Sequence, residues 1–570
     1  METLLFWFTY WMSHSAQDLR YHGAHHILPR RRERTAGGKS LHSPPSLTTV
    51  IFVRMCGTQT CSAKHFVRPK AAMVSHLGKS FLVLAALANV VLADFIPSIT
   101  GQGFKVLTPG NPQYSNASTA FNLRFTFQPA AIAYPNNAQD ASIAMRIGAQ
   151  FGYKVVARSG GHSYIANGLG GKNGVLVLDM SSFNTVFVDP STNIATIGPG
   201  NRLGDVALAL NDHGRAMPHG TCPYVGIGGH SGYGGYGFTS RKWGLTLDTI
   251  VSLDVVLANG TIVSASETNY PDLFWALRGA SSSFGIVTSI HANTFAAPQS
   301  ATVFEYNWDL SASDAASALS AVQKFVLSPS LPQEWAGELV LGAGSSSGRV
   351  AFGLTGGWYA PADQFNAVIQ PLLKTLPKPQ SQKLTVGTYI NSVQYLGGLG
   401  RLNTTGIPDS HDTFYVKSLM TPEASPISDQ AGQAFMTYLA HEGFGANTDW
   451  FVEVELYGGP NSAINNVPFN ATAFARRSSL WTIQFYTSAQ GGVPPFPREG
   501  FTLLDGMVNS IVSNSPKDWD YGAYTNYIDD RLKNWQFLYY GEHYKTLKSL
   551  KQQYDPQNTL DFPTAIQEPQ

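Results

Sequence analysis

Seven of the twelve residues from Gly226 to Gly237 are glycine, and the run begins four residues after Cys222. Glycine has no Cβ, so such a stretch lets main chain approach other main chain, or a ligand, more closely than any other composition allows. It superficially matches the G-x-G-x-x-G dinucleotide fingerprint. That fingerprint must close a strand, open a helix and be followed by an acidic residue on the next strand. Here the glycines continue and no helix is expected, which argues against a nicotinamide-binding Rossmann site. What remains is a long loop exposing backbone beside a thiol, an arrangement suited to a large flat ligand.

The chain has three cysteines, Cys56, Cys61 and Cys222. Residues 73–93 have the layout of a secretory signal peptide: Lys79, an apolar run from Phe81 to Val91, and Val91-Leu92-Ala93 before Asp94. About a dozen apolar residues is too short to span a bilayer. Residues 1–72, with an Arg30-Arg31-Arg32 run and no periodic pattern, are expected to be an over-extension of the reading frame rather than a nucleic-acid-binding arm. Residues 94–570 carry 27 basic and 34 acidic side chains, a net charge of about −7 that disfavours a polyphosphate partner. Sequons at Asn116, Asn259, Asn403 and Asn470 suit a secreted glycoprotein. After processing only Cys222 would remain. In an oxidising compartment it is either an inert buried thiol or committed to another covalent bond.

With 55 glycines and 33 prolines, turns separate many short elements. Ala131–Pro135, Val155–Ser159, Val175–Asp179 and Ile194–Gly198 read as buried strands, while Ala138–Phe151 and Leu203–His213 have helical spacing. Ile250–Ala258 and Thr261–Ala265 flank Asn259-Gly260, a strong hairpin signal. Pro271–Leu277 opens a helix, and Gly285–Ala292 is a further strand. From about residue 300 longer alternating segments mix with helices such as Ala315–Phe325, which predicts a second domain on an antiparallel sheet.

Arg158-Ser159-Gly160-Gly161-His162-Ser163-Tyr164 follows the strand Val155–Ala157 and is a candidate diphosphate cradle, although from these residues alone a tight structural turn is the better reading. Arg158 is either a phosphate ligand or an ion-pair partner. Gly198-Pro199-Gly200 is another close-approach turn.

These segments, together with Asp272-Leu273-Phe274-Trp275-Ala276-Leu277-Arg278-Gly279, Phe284-Gly285-Ile286-Val287 and the closing Tyr554-Asp555-Pro556-Gln557-Asn558 with Phe562-Pro563, resemble the berberine-bridge-enzyme-like FAD-linked oxidases. Within that family the sequence is most similar to fungal gluco- and chitooligosaccharide oxidases. The resemblance runs from about Phe95 to Ile566. It implies an α+β fold with a two-subdomain FAD-binding domain (PCMH/vanillyl-alcohol-oxidase type) and a substrate domain whose large antiparallel sheet is covered by helices. Expected boundaries are 94–300 for the FAD domain, 301–520 for the substrate domain and 521–570 for a segment returning to the first.

The resemblance further implies FAD bound covalently, with His162 on the flavin 8α-carbon and Cys222 on the 6-carbon. It also implies cofactor contacts from Arg158, Ser159, Gly160, Gly161, Ser163, Gly226, Gly228, Gly229, His230, Gly232, Gly237, Ile286 and Val287. Val225 would line the ring where dioxygen approaches. No metal is expected.

Oxidation at an anomeric carbon needs a base for the hydroxyl proton opposite the hydride acceptor. Trp450–Tyr457 alternates with period two, putting Phe451, Glu453, Glu455 and Tyr457 on one face and Val452, Val454 and Leu456 on the other. Thr482, Gln484 and Tyr486 share a face of Trp481–Tyr486 in the same way. Pattern alone is equally consistent with a solvated face. The resemblance points to a sugar-binding floor, with Tyr527 as base and Glu455 as its partner. Family members often carry Asp at the position of Glu455 and Gln at that of Glu453. Tyr164, Thr221, Tyr236, Glu453, Gln484 and Tyr524 are expected sugar contacts.

The expected activity is a secreted, monomeric oligosaccharide oxidase that makes a lactone and reduces dioxygen to peroxide, with no nucleic-acid or membrane partner. Two rivals stand beside it: the same flavin chemistry on a secondary-metabolite alcohol, with Glu455 as base, and a non-catalytic carbohydrate-binding protein.

Overall fold

A computed structural model describes residues 94–567; the expected leader at 73–93 and the segment before it lie outside the described residues. Among the described residues three larger sheets, beside a two-stranded one, carry the fold. The first has the strand order Lys105–Leu107, Ala131–Tyr134, Leu176–Asp179, Val155–Arg158, with its last three strands parallel. Helix Ala138–Gln150 makes the crossover. Asn137 caps it by accepting from the Asp140 amide at 3.0 Å, and Asp140 itself complements the positive end of the helix. Ala141, Ala144, Met145 and Gly148 form its buried face.

The second sheet is antiparallel, ordered Val186–Val188, Ile194–Ile197, Ile286–Asn293, Ile250–Val256, Ile262–Ser266. Asn259-Gly260 turns its last hairpin. Gly260 sits at φ +83°, and a Cβ there would meet the Arg146 side chain at 2.4 Å, so both conformation and space require glycine.

The third sheet has seven antiparallel strands, ordered Ser381–Gly387, Ala301–Ser311, Arg349–Trp358, Trp335–Ala343, Asp449–Leu456, Ser479–Ser488, Phe414–Pro422. Val452, Val454, Leu456, Ile483 and Phe485 send their side chains into a core shared with helices Ala312–Val326, Asp429–Tyr438 and Arg498–Val512. The alternation read from the sequence therefore leaves Glu453, Glu455, Thr482 and Gln484 on the face away from these helices.

The closing segment threads back through the first two sheets: Val155 N–H donates to Thr559 O at 2.8 Å, and Pro563 packs on Gly171. The Lys551 ammonium is fully buried and uses all three donors, on Asp555, Ser283 O and Leu560 O. Asp555 in turn accepts from the Thr559 and Leu560 amides at 2.7 and 2.8 Å. A buried charge is tolerated when paired and hydrogen-bonded in this way, which gives the Tyr554–Asn558 motif a structural reason to exist.

Candidate active site

The turn after strand Val155–Arg158 and the glycine run meet backbone to backbone. A Cβ on Gly160 would lie 2.5 Å from Gly226 N, and one on Gly226 would lie 2.1 Å from Gly160 N. Ser159 Oγ stitches the two, donating to Pro199 O at 2.5 Å and accepting from Gly228 N–H at 3.2 Å. The expectation of a glycine run without a helix is corrected: Ile227–Gly232 forms a six-residue helix. Glycine's intrinsic cost in a helix is outweighed by tertiary fit, since Gly232 lies against Ser281 and Gly228 against Pro199. Gly237 packs on His219 O, whereas a Cβ at Gly229 would find open space. Ser163 Oγ accepts from Asn167 N–H at 3.0 Å. Of the two readings of Arg158, the structure has the ion pair: Nε meets Asp179 at 2.6 Å and Nη1 donates to Ala117 O.

His162 Nε2 is 2.5 Å from Asp409 Oδ2, and Phe121 stacks on the imidazole at 3.9 Å. Among the described residues Cys222 is a free, half-buried thiol. Burial pushes it up to about 12, and the charge of Asp409 acts in the same direction. Tyr164, two residues after His162, also interacts electrostatically with Cys222, with Glu453 and with Glu455, and its phenol is raised chiefly by burial. The His162 turn, the thiol and the acidic sheet face therefore share one site.

On that face Tyr527 Oη donates to Glu455 Oε1 at 2.8 Å. Gln484 Nε2 donates to Tyr164 Oη at 3.0 Å, and the Tyr164 and Tyr527 rings lie nearly parallel, 6.2 Å apart. Glu455 is 6% exposed, and its Oε2 has no hydrogen-bond partner. Burial, followed by the neighbouring Glu453, raises the Glu455 carboxyl well above the usual range, while the Tyr527 bond opposes the rise. Burial raises Glu453 to about 7. Tyr527 is raised by burial and then by both carboxylates.

A donor set consisting of an imidazole occupied at Nε2 but not at Nδ1, a free thiol and a glycine-lined main chain fits a covalently held flavin. Residues 129–266 match the FAD binding domain family, and residues 523–567 match the berberine and berberine-like family. The chain is 37% identical to the xylooligosaccharide oxidase of Thermothelomyces thermophilus, across 81% of this chain and 92% of that protein. It is 37% identical to the glucooligosaccharide oxidase of Sarocladium strictum, across 78% and 88%. A solved glucooligosaccharide oxidase from Acremonium strictum, described with a 6-S-cysteinyl, 8α-N1-histidyl FAD, superposes with a TM-score of 0.77 at 34% identity, covering 84% of this chain and 99% of that one.

The chain belongs to the berberine-bridge-enzyme-like FAD-linked oxidases. As a member of that family it is an FAD-dependent oxidoreductase with an α+β fold.

Not every expected residue of this FAD-linked oxidase faces the carboxylates with a free group. Tyr236 Oη donates to Leu456 O at 3.0 Å, and Tyr524 Oη accepts from the Gly235 and Tyr236 amides at 2.9 and 3.2 Å. Tyr524 packs edge-on against Tyr527, so it braces that ring. Thr221 lies beside Gly397, next to the thiol in sequence. His230 Nε2 accepts from Gly220 N–H at 3.0 Å, and burial lowers its imidazole to about 3, so it is neutral. Val225 and Val287 are partly buried against the core of the second sheet, whereas Ile286 is fully enclosed in the separate core beneath the first sheet.

Sequence reasoning missed two acids. Glu338 sits directly across from Glu455 in the paired strands and is itself raised by burial and by both neighbouring carboxylates. The alternation of Glu338 with Leu339 and Leu341 was its available signal. Asp409 lies in a loop and had no local signal.

Proposed function

We propose that the protein oxidises the anomeric hydroxyl at the reducing end of an oligosaccharide to a lactone while dioxygen becomes hydrogen peroxide. The observation that carries this reading is the Tyr527–Glu455 hydrogen bond at 2.8 Å, buried on a sheet face that also presents Glu453 and Gln484 and adjoins Cys222. FAD, when bound, supplies the hydride acceptor and the electron path to dioxygen. His162 through Nδ1 and Cys222 through Sγ would hold it, with the Gly160 and Gly226 turns as cradle and Val225 beside the ring.

Tyr527 takes the anomeric hydroxyl proton and hands its own phenolic proton to Glu455. A phenol with an ordinary pKa near 10 is a weak base at neutral pH, so it needs such a receiving carboxylate. Burial without a countercharge makes Glu455 a stronger acceptor than a solvated glutamate. Glu453, Gln484 and Tyr164 orient the sugar, and the braced rings of Tyr236 and Tyr524 close the pocket.

Residues 94–300 and 521–570 are assigned to FAD and 301–520 to substrate. Secretion accords with sequons whose asparagines are all exposed, and the lack of a nucleic-acid partner with the net charge of about −7 on residues 94–570; a monomer without a membrane partner is part of the same proposal. No helix among the described residues is long and apolar enough to cross a membrane. The test is peroxide release with xylo-, cello-, chito- and malto-oligosaccharides. Oxidation of one or more series is expected; inertness toward all four, with turnover of a non-sugar alcohol, overturns the reading.

A further inference from the structure

Attachment of a flavin at two residues poses a problem of order and selectivity, because an imidazole and a thiol in one pocket need different help to react. The structure treats them differently. His162 Nε2 is held by Asp409 Oδ2 at 2.5 Å, and the two side chains are only 8% and 14% exposed. Phe121 fixes the plane of the imidazole by stacking at 3.9 Å and 24°.

The segment that carries Phe121 also anchors the loop three residues beyond the acid. Asp412 N–H donates to Phe121 O at 3.2 Å, and Leu123 N–H donates to Asp412 O at 2.8 Å. The intervening Asn122, fully buried, donates from Nδ2 to Tyr164 O at 2.8 Å and to Phe414 O at 2.9 Å. One short segment thus ties the Asp409 loop, the His162–Tyr164 turn and the edge of the sheet into a single unit.

We infer that Asp409 is the positioning residue for flavin attachment at His162, selecting the tautomer with hydrogen on Nε2 and receiving that hydrogen as a proton when Nδ1 bonds to carbon. The inference rests on the function proposed above. In the step, a bond forms between Nδ1 and the flavin 8α-carbon, and one methyl C–H bond breaks. The methyl hydrogen and the Nε2 hydrogen leave as protons, and two electrons pass through the ring to dioxygen. The sum consumes one dioxygen and yields one hydrogen peroxide. An acid at Nε2 orients an imidazole and stabilises the charge that develops on it. The same carboxylate works against Cys222, since its negative charge disfavours a neighbouring thiolate. Asp409 therefore assists one attachment and hinders the other, which a general structural role would not do.

The experiment is peptide mass analysis of purified wild-type protein and of Asp409→Asn, Asp409→Ala and Asp409→Glu, quantifying flavin at His162 and at Cys222 separately. In Asp409→Asn and Asp409→Ala the fraction linked at His162 is expected to fall at least about tenfold, in the range for losing a group that orients a histidine. Cys222 linkage should stay at or above the wild-type level, and Asp409→Glu should restore His162 linkage. Full His162 linkage in Asp409→Asn, or equal loss at both residues, overturns the inference alone. Wild-type protein without flavin on His162 overturns the attachment chemistry of the proposed function as well.

Discussion

Tyr527 Oη lies 2.8 Å from Glu455 Oε1, and the second oxygen of that carboxyl, Oε2, is buried with no hydrogen-bond partner. An unsatisfied buried acceptor is destabilising by about 1–3 kcal/mol, a cost that Glu455 carries beside Tyr527. In the proposed mechanism the phenolic proton passes along the existing hydrogen bond to Oε1.

Replacing Tyr527 with Phe removes the proposed base and leaves its ring packing against Tyr164 and Tyr524. Turnover should fall at least ~100-fold with flavin content unchanged, as read by peroxide release per mole of bound flavin. Turnover within threefold of wild type would remove Tyr527 from the mechanism.

Glu455→Gln keeps the shape but cannot accept a proton. Because burial raises this carboxyl, it is protonated and inactive as acceptor at low pH, and wild-type turnover should climb as pH rises through its folded pKa. Steady-state rates across pH should show that climb in wild type, and in Glu455→Gln a flat profile at least ~100-fold lower. An unchanged climb in the variant would assign it to another group.

Glu453 gives a stability prediction of opposite sense to the usual carboxylate. Its folded value of about 7 lies above the 4.5 of an ordinary glutamate, so between these limits the folded protein holds a proton that the unfolded chain has released. Stability from this group is fully present below pH 4.5 and is lost as pH rises through 7. Melting temperatures should decline from pH 5 to pH 8 less steeply in Glu453→Gln than in wild type, and parallel curves would contradict the assignment.

Cys222→Ala and His162→Ala should each stay yellow after acid precipitation through the remaining bond, and the double variant should precipitate colourless. Absorbance of the redissolved pellet decides the matter.

Lys551→Ala strands the Asp555 carboxylate in the interior. A loss of about 3–5 kcal/mol is expected from denaturant unfolding, the range for breaking one side of a buried pair. A loss under 1 kcal/mol would mean that the Thr559 and Leu560 amides alone satisfy Asp555.

Much of this was legible in local pattern. The period-two alternation of Trp450–Tyr457 placed Glu453 and Glu455 together, and Asn259-Gly260 located a hairpin, because both signals act within a few residues. The pairing of Tyr527 with Glu455 came from family resemblance, since 72 residues separate them and no periodicity spans that distance. Asp409 was illegible for the same reason, reaching His162 across 247 residues through the packing of Phe121 and Asn122. The helix Ile227–Gly232 was misread because glycine's own preference opposes it, and the neighbours that overrule the preference lie far away in sequence.

The meshing of Gly160 with Gly226 has a consequence for how such a pocket can diversify. The turn leading to His162 and the loop following Cys222 are indexed to each other by main-chain atoms, so substitutions elsewhere do not readily alter the span between the two anchors. The opposite wall is made of side chains on a sheet, where one residue can be exchanged without shifting its strand. Under the proposed function, variation in which saccharide is accepted can therefore accumulate at sheet positions such as Glu453 while the span between the two anchors stays constant.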